Sequence, residues 1–160
     1  INKNSIGIEI SNPGHDNKYN KYNKKQIRSV LKLTKFLIKK YKIKSKFILG
    51  HSDISPDRKK DPGENFPWKY LSKKKIGIWY NIDKKKLFKT RAKKISKNDE
   101  KIFKKNLHEI GYAKIFNTTK KTNLKTLTYA FQRRFRQILI NGKIDKECLI
   151  ISKKLVKKFK

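Results

Sequence analysis

Methionine is missing altogether from the 160-residue sequence. Ile1 is therefore no translation start, and a strand-like run begins only a few residues on. The chain is expected to be the C-terminal part of a longer protein. Cysteine is almost absent: Cys148 stands alone, so no disulfide can close within the chain and the redox compartment stays open. No apolar run is long enough to cross a bilayer, so no membrane span is expected. Any signal peptide or lipid anchor would lie ahead of Ile1. Acid is scarce, with 12 Asp and Glu against 45 Lys and Arg and a formal net charge of +33. Such a balance raises the class of phosphate-neutralising nucleic-acid binders. Yet the lysines run from Lys3 to Lys160 without forming a block, among abundant Ile and Asn, as drift in an AT-rich genome produces. The aromatics sit mainly at core-periodic positions rather than among clustered lysines, which argues against a base-stacking surface. No nucleic-acid partner is expected.

What is present divides into two parts. Ile6–Ile10 reads as a buried strand, stopped by Asn12-Pro13-Gly14. Ile27, Val30, Leu31, Thr34, Leu37, Ile38 and Tyr41 then recur at helical spacing, with lysines opposite, predicting an amphipathic helix over Lys24–Tyr41. Phe47-Ile48-Leu49 reads as a short strand that Gly50 releases into a loop, and Pro67 is placed to open a short helix over Trp68–Leu71. Strand–helix–strand order predicts an α/β layer, a mixed sheet flanked by helices and incomplete at its N-terminus. Residues 1–82 are expected to form this domain and 83–97 a lysine-rich linker. Helices over Asp99–Ile110, Leu124–Phe135 and Lys146–Lys158 would make 98–160 a small all-α three-helix module.

The chemistry concentrates in Ile48–Trp68, I-L-G-H-S-D-I-S-P-D-R-K-K-D-P-G-E-N-F-P-W. His51 and Asp61 offer nitrogen and oxygen donors from one loop, a set that suits Zn²⁺, and a catalytic zinc takes three protein ligands plus water. Glu9, alone among apolar residues, is costly to bury unless paired or at work, and is a candidate general base. Lys59 is a candidate donor to an oxyanion. Each residue also has a plainer reading. His51 could be structural, Asp61 a turn residue before Pro62-Gly63, Lys59 one lysine among many, and Glu9 a partner for a nearby lysine. Asp53 reads as a cap for the loop's backbone N–H groups.

S-I-G-I-E-I-S-N-P-G-H followed by G-H-S-D-I-S-P-D-R-K-K-D-P-G closely resembles the zinc-dependent N-acetylmuramoyl-L-alanine amidases, in particular the AmpD/AmiD-like group of the amidase_2 family. The match runs from about Asn4 to Trp79. The resemblance implies zinc binding by His51 and Asp61 and catalytic roles for Glu9 and Lys59. It also implies a third ligand, a histidine, expected upstream of Ile1. His15 is expected to serve the loop or substrate cleft rather than the metal, and His108 lies in the other module.

Leu127–Leu149, with A-F-Q-R-R-F and N-G-K-I-D, resembles the peptidoglycan-binding domain found beside such amidases. Phe131 and Phe135 are expected in its core, Arg133, Arg134 and Arg136 in solvent or facing ligand, and Asp145 at the turn opening the last helix. The expected function is hydrolysis of the amide between N-acetylmuramic acid and L-alanine, on peptidoglycan or muropeptides, by a monomer in the cell envelope or periplasm. Cytoplasmic muropeptide recycling is the alternative compartment. A non-catalytic peptidoglycan-binding protein is the alternative function.

Overall fold

The computed structural model describes residues 4–112 and 123–159. Among the described residues seven α-helices follow in order: α1 (Lys24–Tyr41), α2 (His51–Ile54), α3 (Trp68–Lys73), α4 (Lys84–Phe88), α5 (Lys97–Ile110), α6 (Leu124–Phe135) and α7 (Lys146–Phe159), with a 3-10 turn at Ser45–Phe47.

The mixed sheet expected from the sequence is not there: among the described residues no strand forms. Ile6–Ile10 has no regular structure, and Ile6 is 49% exposed. Phe47 ends the 3-10 turn instead of pairing, and is 64% exposed. Apolar, β-branched residues favour a strand only where a second backbone supplies the ladder, and among the described residues neither run is paired in a strand. Glu9 is consequently exposed rather than enclosed in a sheet.

The helices answer to their apolar spacing. Asn23 and Gln26 open α1 with a reciprocal capping box, the Asn23 side chain accepting from the Gln26 N–H at 2.8 Å and the Asn23 N–H donating to the Gln26 side chain at 3.0 Å. Ile27 and Val30 then turn inward against Phe66, Trp68, Leu71 and Ile76, and Thr34 on the same face is buried. A larger core gathers Phe103 and Leu107 of α5, Leu127, Phe131 and Phe135 of α6, and Ile151 and Leu155 of α7. Phe131 and Phe135 are buried as expected. Helix α4 falls in the segment read as linker; Asp83 caps it, and its Leu87 enters this second core. Trp79 packs against both cores.

Two buried ionic ties close the second core. Arg91 forks onto Glu147 at 2.8 and 2.9 Å, and Arg136 pairs with Asp145. Asp145 also accepts from the Cys148 N–H at 2.9 Å, capping α7 as the sequence suggested. Arg134 and Arg136, expected in solvent or against ligand, are instead 3% and 2% exposed. Arg136 is spent on the α7 cap, and Arg134 on a carboxylate near the candidate site. At the Asn141-Gly142 turn, Gly142 has φ +66° and a Cβ there would meet the Tyr129 ring at 2.5 Å, so a side chain is excluded.

Candidate active site

Helix α2 is a single turn that begins at His51. Its geometry is set from below by Asp53. One Asp53 carboxylate oxygen accepts the Gly50 N–H at 2.8 Å and pairs with Arg134 of α6; the other accepts the hydroxyl of Tyr112. Burial first, and then the Asp53 charge, push the Tyr112 phenol well above its ordinary pKa, so it serves only as a donor. The Arg134 guanidinium lies 4.1 Å over the Trp68 ring and donates to the Ile48 carbonyl at 2.8 Å. Asp53 therefore caps the loop as expected and in addition ties it to a helix 81 residues away.

The returning limb of the loop is pinned from two sides. The Ser52 N–H donates to the Asp61 carbonyl at 2.8 Å. Tyr19 and Tyr22 donate their hydroxyls to the Pro62 carbonyl at 2.6 and 3.0 Å, and Tyr19 accepts from the Asn65 N–H at 2.9 Å. Gly63 sits at φ +72°, with the Tyr19 hydroxyl only 2.5 Å from where a Cβ would stand. Between these anchors His51 Nδ1 and Asp61 Oδ2 meet at 3.1 Å, both side chains about half exposed.

That pair fits a metal in part. Two ligands of a tetrahedral zinc, each at about 2.0–2.1 Å, lie about 3.3 Å apart, close to the separation observed. His51 and Asp61 thus match two of the three protein donors of a catalytic zinc. Among the described residues no group of three or more His, Cys, Asp or Glu is arranged to hold a metal. His15 is engaged elsewhere, its Nε2 3.0 Å from Glu64 Oε2 and its ring stacked on Tyr19 at 4.3 Å.

Lys59 lies in the same loop, its N–H bonded to the Ser55 carbonyl at 2.9 Å and its side chain exposed. It lines a cleft of about 240 Å³ between residues 56–60 and the α6 residues Thr126, Tyr129 and Arg133. Glu9 makes no hydrogen bond or ion pair among the described residues. The structure brings His51 and Asp61 together and sets Lys59 on the same loop, but forms no hydrogen bond or ion pair between Glu9 and any of them. The α6 wall and the Tyr112–Asp53–Arg134 tie were not anticipated. Both had a signal in the sequence: Leu127, Phe131 and Arg134 share one helical stripe, and Thr126, Tyr129 and Arg133 another.

Residues 1–64 match the family described as N-acetylmuramoyl-L-alanine amidase, Amidase_2. Across 99% of its length the chain is 30% identical to N-acetylmuramoyl-L-alanine amidase AmiD of Escherichia coli K12, of which it covers 59%. Over 70 residues it is 41% identical to the 1,6-anhydro-N-acetylmuramyl-L-alanine amidase AmpD of Haemophilus influenzae, covering 42% of this chain and 36% of that one. The chain thus spans less than two thirds of these relatives. Among solved structures, the complex of E. coli AmiD with anhydro-N-acetylmuramic acid-L-Ala-D-gamma-Glu-L-Lys superposes with a TM-score of 0.72 at 29% identity, covering 89% of this chain and 55% of that one. AmpDh3 of Pseudomonas aeruginosa superposes with a TM-score of 0.71 at 28% identity, covering 91% and 57%. Among the described residues no helix is long and apolar enough to cross a membrane.

Proposed function

We propose that this chain is part of a zinc-dependent N-acetylmuramoyl-L-alanine amidase, cleaving the amide between N-acetylmuramic acid and L-alanine of a peptidoglycan-derived substrate. The observation that carries the reading is the His51–Asp61 pair at 3.1 Å, held inside the segment that matches the amidase family. The solved AmiD complex, whose ligand joins anhydro-N-acetylmuramic acid to L-alanine, supports the substrate class.

In this reading His51 and Asp61 hold the ion. Zinc, when bound, supplies a Lewis acid and brings the pKa of a water in its shell down to about 7. Glu9 accepts the proton of the attacking water and returns it to the leaving amine of L-alanine, the exchange a general base completes by acting as acid in the second half. Lys59 donates to the carbonyl oxygen as it gains charge. The helical segment 98–160, joined through 83–97 to the amidase segment 1–82, holds the enzyme on the wall, and the cell envelope is its compartment.

A second reading has one observation in its favour. Glu9 stands exposed and makes no hydrogen bond or ion pair with the other three residues, as it would in a wall-binding relative without turnover.

The test compares the full natural protein carrying this chain with its His51→Ala variant, measuring zinc content and cleavage of anhydro-muropeptide. Stoichiometric zinc and turnover in the first, both lost in the second, are expected. Undiminished zinc or turnover in the variant overturns the metal assignment. Zinc-independent binding of muropeptide without cleavage selects the second reading.

A further inference from the structure

The cleft beside Lys59 has a charge inventory that the loop alone does not explain. Arg58, Lys59, Lys60 and Arg133 line it, against a single acid, Asp57. Arg58 is occupied by the Ser55 hydroxyl at 3.1 Å, and Lys60 stands 3.6 Å from Asp16. The side chains of Lys59 and Arg133 have no hydrogen bond or ion pair among the described residues.

Arg133 is the unusual member. Arg91, Arg134 and Arg136 each hold a carboxylate. Arg133 is half-buried, with its guanidinium 5.6 Å over the Tyr129 ring and no anion in its grip. Burial lowers its pKa, with the Glu64 charge opposing the shift. A partly dehydrated cation without a partner is unfavourable, and a guanidinium fork is shaped to take a carboxylate through two parallel bonds. Tyr129 and Arg133 both line the cleft, so the guanidinium stands at its wall.

We propose that this cleft binds the carboxylate of an acidic peptide, with Arg133 as its specificity-determining residue. The inference rests on the amidase reading, in which that peptide is the stem of the substrate. A γ-linked D-glutamate, as in the ligand of the AmiD complex, keeps its α-carboxylate free. It follows L-alanine directly, so the carboxylate lies within about 7 Å of the scissile amide. One short cleft can therefore present Lys59 to the amide carbonyl and Arg133 to the glutamate. Helix α6, in the half of the chain read as a wall anchor, then forms part of the cleft that reads the stem peptide.

The experiment uses two anhydro-muropeptides that differ only at this glutamate, one with the free α-carboxylate and one with the carboxamide, on wild type, Arg133→Gln and Arg133→Lys. A charge-assisted bond predicts that the wild type favours the acid by about 10–100-fold in kcat/KM. In Arg133→Gln the preference collapses towards unity through KM, and Arg133→Lys restores part of it. Zinc content and melting temperature of the variants are measured alongside. The free peptides L-Ala-γ-D-Glu-L-Lys and its amide are titrated calorimetrically against the same proteins. If no protein cleaves either substrate, the amidase reading fails. Acid-over-amide binding that disappears in Arg133→Gln would still support the cleft assignment. Equal losses on both substrates, or a wild type indifferent to the carboxylate in turnover and binding, overturn it.

Discussion

Replacing Arg134 by methionine tests whether the tie beneath α2 is a principal support of the fold. Asp53 is 8% exposed and Arg134 3%, so the substitution strands a carboxylate away from water with only the Gly50 N–H and the Tyr112 hydroxyl as donors. The Ile48 carbonyl loses its donor and Trp68 its stacked cation. Breaking a buried pair by removing one partner costs about 3–5 kcal/mol. The two surviving donors argue for the lower end. At this chain length each kcal/mol moves the melting temperature by roughly 2–4 °C, so a drop of about 6–12 °C is expected. Urea unfolding followed by tryptophan fluorescence reads the change at Trp68, directly under the lost guanidinium. The double variant Asp53→Asn with Arg134→Met completes a cycle, because removing both charges abolishes the stranded anion. It should be less destabilised than the sum of the singles by at least about 1 kcal/mol. A single variant costing under about 1 kcal/mol, or strict additivity in the cycle, would refute the reasoning.

Three further outcomes follow from the same structure. If the proposed zinc amidase is right, Lys59→Ala in the full natural protein should retain zinc and lose about 10²–10³ in kcat, measured as metal content and initial rate; loss of zinc would show that Lys59 supports the loop instead. Gly63→Ala asks an L-residue to hold φ +72° with its Cβ 2.5 Å from the Tyr19 hydroxyl. It should cost about 1–3 kcal/mol and weaken zinc binding in chelator competition, whereas wild-type values for both would mean the loop relaxes freely. Burial pushes the Cys148 thiol up to about 12, so the folded state keeps a proton that the unfolded chain loses near pH 8.5. Stability should fall as pH rises from about 8.5 to 12, and Cys148→Ala should remove up to one proton's share of that slope, about 1.4 kcal/mol per pH unit. An unchanged slope in urea titrations, or rapid thiol labelling of folded protein at pH 8, would contradict the burial argument.

Helices were the most legible part of this sequence because apolar residues stand out sharply against lysine. The Lys24–Tyr41 stripe gave α1 with the observed bounds, and Leu124–Phe135 did the same for α6. Strands were misread at Ile6–Ile10 and Phe47–Leu49, since alternation states a preference and pairing depends on a neighbour. His51 and Asp61 were legible as a pair because a nitrogen and an oxygen donor lie ten residues apart in one loop. Glu9, in a segment without regular structure, had no such constraint. The arginines were the avoidable error. Arginine occurs at only six positions among 45 basic residues, and three of the six hold buried or half-buried carboxylates. In a chain where lysine is the default cation, an arginine marks a place where a planar fork is needed.

The contacts that cross from the N-terminal segment to the C-terminal helices bear on how such a chain can be cut and recombined. Arg134 reaches the Ile48 carbonyl, Gln137 donates to the Phe66 carbonyl at 2.8 Å, and Trp79 contributes to both cores. A graft that exchanged the C-terminal helices for those of another protein would have to import Tyr112, Arg134 and Gln137 equivalents together, matched to Asp53 and to the 48–66 backbone. The helices behave as a fitted half rather than a plug-in cassette, and separate expression of either piece would expose polar groups that only the other piece satisfies.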